Sequence, residues 1–251
     1  MSTERAKICV LSGNALKIIA AISMLIDHIG LIFCPQITLL RILGRMAFPI
    51  FAFMIAEGCR YTRSKLKYFL SVSGMGVAYL IVFYLYSGVI YMSIFITFSL
   101  SIIMIYALQT FKRAFFASKV SVANILFSGI AFAATVAFSS AMNEIYSIDY
   151  GFFGTLAPLF ASMCHKPENC SNAVLDKLDN HLISLLGLSI ALIGLYAVYG
   201  GVRIFAFLSI PLLLLYSGKR GKIKMKYFFY IFYPAHILAL EAIYILLQII
   251  K

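Results

Sequence analysis

The apolar stretch 16–33, LKIIAAISMLIDHIGLIF, carries three ionisable side chains: Lys17 near its start and the pair Asp27–His28 deep inside it. An imidazole titrates close to neutral pH, so it can take a proton from an attacking group and return it. A charged group at such a depth in a bilayer costs roughly 3 kcal/mol even on the mildest scale, so it faces a protein interior or a watery cavity. Lys17 and His28 are eleven residues apart. At about 100° per residue they fall within about 20° of one helix face, about 16 Å apart along the axis.

Two further apolar stretches carry ionisable groups. In ITLLRILGRMAFPIFAFMIAEG, Arg41 and Arg45 stand four apart, on one helix face. Pro49 removes a backbone donor and is expected to kink the helix just past them. Arg41, about one turn in, suits snorkelling to the interface. Arg45 sits about 12 Å from that end and needs an anionic partner within the protein, with Asp27 nearest in depth. In YFFYIFYPAHILALEAIYILL, His236 falls near mid-membrane, with Pro234 before it and Glu241 beyond. His28, Arg45 and His236 all come out about 14–21 Å from one side of the bilayer. Such a coincidence favours a functional polar centre over a purely structural network.

Between the second and third apolar stretches, GCRYTRSKLKYFL places Arg60, Arg63 and Lys67 at helical spacing. Along one helix face they would form a phosphate clamp. As loop cations they would equally serve only to fix topology. Asp149–Tyr150–Gly151, followed by Gly154, suits either a close backbone approach or a helix start. Tyr150 and Gly151 are therefore candidates for contact with a bound donor. Cys164, His165, Cys170 and His181 match no standard zinc spacing, and no metal is expected. No phosphate loop or nucleophile elbow is present.

The elements that must position these residues follow from composition. The 251 residues are 63% hydrophobic and 12% charged, against about half and a quarter in soluble domains. Apolar runs of about 20 residues indicate an all-α integral membrane protein rather than a barrel. Run length suggests about nine spans, at 14–34, 37–57, 68–88, 91–111, 121–141, 150–164, 181–200, 203–217 and 227–250, the sixth and eighth being short. The net charge is +12. With a cytoplasmic N-terminus, sixteen Lys and Arg fall in inside segments and two, Arg203 and Lys251, outside. This distribution follows the positive-inside rule and accounts for the basic balance without nucleic acid. The leader 1–13, with Arg5 and Lys7, has no cleavage site of the secretory kind. Five scattered cysteines imply no disulfide framework. The single sizeable loop, 165–180, leaves residues 1–251 as one expected polytopic domain.

IDHIGLIF, GRMAFPIFAF, DYGFFG and FYPAHILAL, in that order on successive spans, resemble the TraX family across nearly the whole chain. Lys17 to His28 more remotely resembles the basic-x10-His signature of membrane acyltransferase family 3, with Ile18 where that family has a glycine. TraX of conjugative plasmids is the inner-membrane protein that N-acetylates pilin. The resemblance implies a multi-pass protein of the bacterial inner membrane that moves an acetyl group from cytosolic acetyl-CoA to a pilin-like peptide or a surface-glycan hydroxyl or amine. On that reading Lys17 and the Arg60, Arg63, Lys67 stretch hold phosphates. His28 acts as general base or is itself acetylated, Asp27 pairs with Arg45, and Arg45 or His236 stabilises the oxyanion. The rival classes are a proton-coupled transporter, disfavoured by the lack of internal repeats, and a non-catalytic assembly partner.

Overall fold

The computed structural model describes residues 10–117, 119–168, 170, 172–221 and 225–250. The leader cations Arg5 and Lys7, Cys9, the loop cations Lys222 and Lys224, and Lys251 lie outside the described residues. No strand forms among those described. The elements are helices, in order α1 (Gly13–Ile32), α2 (Thr38–Gly44), α3 (Ala47–Tyr61), α4 (Lys65–Ser87), α5 (Ile94–Phe115), α6 (Val122–Ile145), α7 (Gly151–Ser162), α8 (Ala173–Leu178), α9 (His181–Tyr199), a 3-10 helix (Gly201–Leu208), α10 (Ser209–Leu214) and α11 (Lys226–Ile250).

Seven of the described helical segments are long and apolar enough to cross a bilayer, α2 and α3 counting together as one. The protein is an all-α, multi-pass membrane protein. The short sixth and eighth spans expected from run length correspond to Gly151–Ser162 and Gly201–Leu214. The 12 residues of α7 rise only about 18 Å, well short of a hydrocarbon core about 30 Å thick.

The second span is interrupted. α2 ends at Gly44 and α3 starts at Ala47. The break therefore comes before Pro49 rather than after it. Pro49 lies in the first turn of α3, where the backbone donor it lacks has no intrahelical acceptor anyway. α11, by contrast, runs unbroken through Pro234.

The helices form two compact units, Met1–Met54 with Tyr196–Lys251, and Ile55–Leu195. In the first, α1 packs on α2 and α11 packs on α1. Two glycines set the α1–α2 approach. A Cβ on Gly30 would lie 2.7 Å from Leu40 Cβ, and one on Gly44 would lie 2.3 Å from the Asp27 carboxylate. The segment before α1 is tied to the segment after α10. Leu11 N–H donates to Leu215 O (3.0 Å), Ser217 N–H to Leu11 O (2.9 Å), Gly13 N–H to Lys219 O (2.8 Å) and Asn14 N–H to Arg220 O (3.0 Å). Ser12 Oγ accepts from Ala15 N–H at 3.2 Å. The N-terminus of α1 is thereby capped by the protein itself.

In the second unit α5 is the central helix. Of its apolar window 61% is buried, against 11% for α4 and for α6, whose apolar side chains suit lipid. Hydroxyls knit the unit together. Ser101 donates to Thr155 O (2.7 Å), Ser139 to Thr155 Oγ1 (3.1 Å) and Thr97 to Asp149 O (2.8 Å).

Candidate functional site

Asp27 and His28 are neighbours in sequence but point about 100° apart on α1, and each meets a different helix. Asp27 Oδ2 accepts from Arg45 and lies 3.1 Å from Arg41 Nη1. Arg41 also donates to the Asp27 backbone carbonyl at 3.2 Å. Pairing of Asp27 with Arg45 is thus present. Arg41, whose position suited snorkelling, is instead a second cation on the same carboxylate. The other carboxylate oxygen, Oδ1, is buried without a hydrogen-bond partner among the described residues. The backbone of Gly44 lies where that oxygen packs, closer than any side chain would permit.

His28 meets α11. Its Nδ1 lies 2.9 Å from Met24 O and 3.3 Å from His236 Nε2, and His236 Nδ1 lies 2.8 Å from Phe232 O. A carbonyl can only accept, so both Nδ1 atoms carry the proton. His28 Nδ1–H then bridges Met24 O and the lone pair of His236 Nε2. In neutral His28 the second lone pair is on Nε2. The rings meet edge to face with centroids 4.9 Å apart, and His236 stacks on Phe232 at 5.0 Å. His236 is buried and His28 is half-buried. A base with a fixed tautomer and one remaining lone pair is the arrangement that proton abstraction or nucleophilic attack requires.

Lys17 lies on the same face. Its ammonium sits over the Phe229 ring, 5.9 Å from the centroid. Both ends of the Lys17–His28 stripe therefore lie against α11, which runs parallel to α1, since Lys17 meets Phe229 and His28 meets His236. Arg220, on the loop tied to the start of α1, is within electrostatic reach of Lys17. Sequence spacing does not connect the two, because about two hundred residues separate them. Glu241 is half-buried further along α11.

The second unit holds the remaining candidates. The expected clamp on one helix face does not form. α3 ends at Tyr61 and α4 begins at Lys65, so Arg60, Arg63 and Lys67 straddle a turn that abolishes their common face. Arg60 pairs with Asp179 at 2.8 Å, while Arg63 and Lys67 are exposed. Arg60 lines a cleft to which the structure adds Lys65, Arg113 and Lys166, and which Arg63 and Lys67 do not line. Beneath it His165 is 2% exposed. Its Nε2 is 3.2 Å from Ser184 Oγ and 3.8 Å from Glu57. Burial pushes its pKa down to about 3, and Arg60 and Lys112 push in the same direction. Lys112 donates to the carbonyls of Met163 and His165.

Tyr150 and Gly151 have left-handed backbones, with φ of 62° and 59°. They form the turn into α7. The turn is pinned by Tyr91, which donates to Asp149 Oδ1 at 2.5 Å, and by Gly154, where a Cβ would lie 2.4 Å from that of Tyr150. Neither residue lines the basic cleft. Among the described residues no three His, Cys, Asp or Glu side chains converge as a metal site.

A 40-residue stretch is 52% identical to the uncharacterized protein RP591 of Rickettsia prowazekii (strain Madrid E), covering 16% of either chain. The chain thus spans about a sixth of the length of that relative. No solved structure matches it. Over residues 12–244 the sequence matches the family described as TraX protein, and with nearly its whole length covered the chain belongs to the TraX family.

Proposed function

We propose that the chain transfers an acetyl group from acetyl-CoA to a membrane-borne or extracytoplasmic acceptor, the N-terminal amine of a pilin-like peptide by family resemblance, in the bacterial inner membrane. The observation that supports this best is the His28–His236 pair, where carbonyl acceptors hold both rings in one tautomer and leave His28 Nε2 as the lone pair. In the proposed step the acceptor nitrogen attacks the thioester carbonyl carbon while His28 Nε2 removes its proton. The tetrahedral intermediate then expels the CoA sulfur, and the imidazolium returns its proton to that thiolate. The acetyl amide and free CoA thiol are the products, and His28 ends neutral. An acceptor hydroxyl on a surface glycan would react in the same way.

Roles follow from the contacts. His236 gives its ring proton to Phe232 and has none to donate to an oxyanion, so in this proposal it orients His28. Arg45, steadied by Asp27, is assigned to the developing negative charge. Lys17, at the other end of the stripe with Arg220 close by, is assigned to donor phosphate. The alternative order, with His28 Nε2 acetylated first, uses the same lone pair.

The test is transfer of radiolabelled acetyl from acetyl-CoA to proteins and glycans of membranes holding matched amounts of the parent protein or its His28→Ala variant. The expected result is a fall of at least about 100-fold with the variant. Undiminished transfer would end the proposal. An acid-labile acetyl adduct on His28 in single-turnover quench would select the two-step order.

A further inference from the structure

The cleft of the second unit is lined by four cations, Arg60, Lys65, Arg113 and Lys166, and one carboxylate, Glu168. Arg113 makes no ion pair among the described residues. It donates to Gln109 O and to Thr110 Oγ1, both at 3.3 Å and both on its own helix. Lys65 is 3.5 Å from Glu168, whose side chain is 59% exposed. Pairs so exposed hold weakly, so Glu168 stands where a more highly charged phosphate would displace it. The cleft as it stands has about 30 Å³ of free space, so a nucleotide must part its walls to enter.

Ala56, Ile105 and Tyr106 form an apolar wall, and Gln109 adds a specific polar group. Its Nε2 donates to His165 O at 3.3 Å, which fixes the amide orientation because a carbonyl cannot donate. Gln109 Oε1 is then a buried acceptor with no donor among the described residues. Such an atom is costly to leave unpaired and calls for an N–H group. Cations at the rim, an apolar wall and a lone acceptor together describe a purine nucleotide with an exocyclic amine.

We propose that this cleft binds an adenine nucleotide, with phosphates on Lys65 and Arg113 and the adenine amine donating to Gln109 Oε1. Glu168 must give up Lys65 on binding, so it competes with the ligand.

Calorimetry on the full chain in detergent tests this with adenosine 3′,5′-bisphosphate and its inosine counterpart, which presents a carbonyl in place of the amine. The adenosine form should bind about tenfold tighter. Gln109→Ala should bring the two within about twofold. Arg113→Ala, a change at an exposed position, should weaken both about tenfold, and Glu168→Gln should tighten both severalfold. Equal binding of the two nucleotides, or binding indifferent to Gln109→Ala and Arg113→Ala, overturns the assignment. If that happens while His28-dependent acetyl transfer stands, only the cleft is lost. If the nucleotides behave as stated and acetyl-CoA gives no transfer, the cleft remains a nucleotide site and the transfer reading falls.

Discussion

At the scale of single residues, the decisive feature is which nitrogen holds a proton. Helical periodicity alone puts Lys17 and His28 on one face, because that relation depends only on residues a few turns apart. The tautomer of His28 is not legible in the sequence, since it depends on Met24 O and on His236 Nε2, a residue 208 positions away. If His236 positions His28 rather than reacting, His236→Ala should lower acetyl transfer by about tenfold, well short of the loss expected for His28→Ala. It should also alter the pH profile of the remaining rate, because His28 Nδ1–H would keep only its bond to Met24. An unchanged profile would remove His236 from the proposal. Asp27 is argued differently. It holds two guanidinium groups within the protein, so Asp27→Ala takes the carboxylate from both, leaving Arg41 its bond to the residue-27 carbonyl and Arg45 its bond to the Arg41 carbonyl, and should destabilise the fold by about 3 kcal/mol. Thermal unfolding in detergent measures this, and a loss under about 1 kcal/mol would show the arginines to be satisfied elsewhere.

At the scale of elements, two helix ends decide what the sequence can and cannot convey. The spacing of Arg60, Arg63 and Lys67 reads as one face only if one helix carries all three. The turn at 62–64 between α3 and α4 divides them, and the cleft instead collects cations from separate segments of the chain. The long apolar stretches and their order are legible from hydropathy because the bilayer fixes their length. The crossing of α1 and α2 is not, because it depends on Gly30 and Gly44 meeting side chains of the facing helix. Gly44→Ala would place a methyl 2.3 Å from the Asp27 carboxylate. Either the helices separate or the Asp27–Arg45 contact breaks, and a loss of about 1–3 kcal/mol is expected. Gly74, with nothing within 4 Å of an added Cβ, is the internal control. Gly74→Ala should be neutral or slightly stabilising in the same thermal assay, as the better helix former. Equal effects at the two positions would mean that the α1–α2 approach is not tight.

At the scale of the whole molecule, a buried titratable group couples stability to pH. His165 is neutral in the folded chain, with its pKa pushed down to about 3 by burial and by Arg60 and Lys112. Glu57, 3.8 Å away, pulls the other way but does not offset them. In the unfolded chain the imidazole returns to its ordinary value near 6.5. Between these values the unfolded state binds a proton that the folded state does not, so stability rises with pH. The contribution is complete above about pH 6.5 and is lost as pH falls toward 3, at up to about 1.4 kcal/mol per pH unit. The midpoint of thermal unfolding in detergent should therefore drop between pH 7 and pH 4.5. His165→Gln keeps a polar group of similar reach and should flatten that acid-side slope while costing some stability at pH 7. A variant whose slope matches the parent would remove His165 as the source of the acid sensitivity.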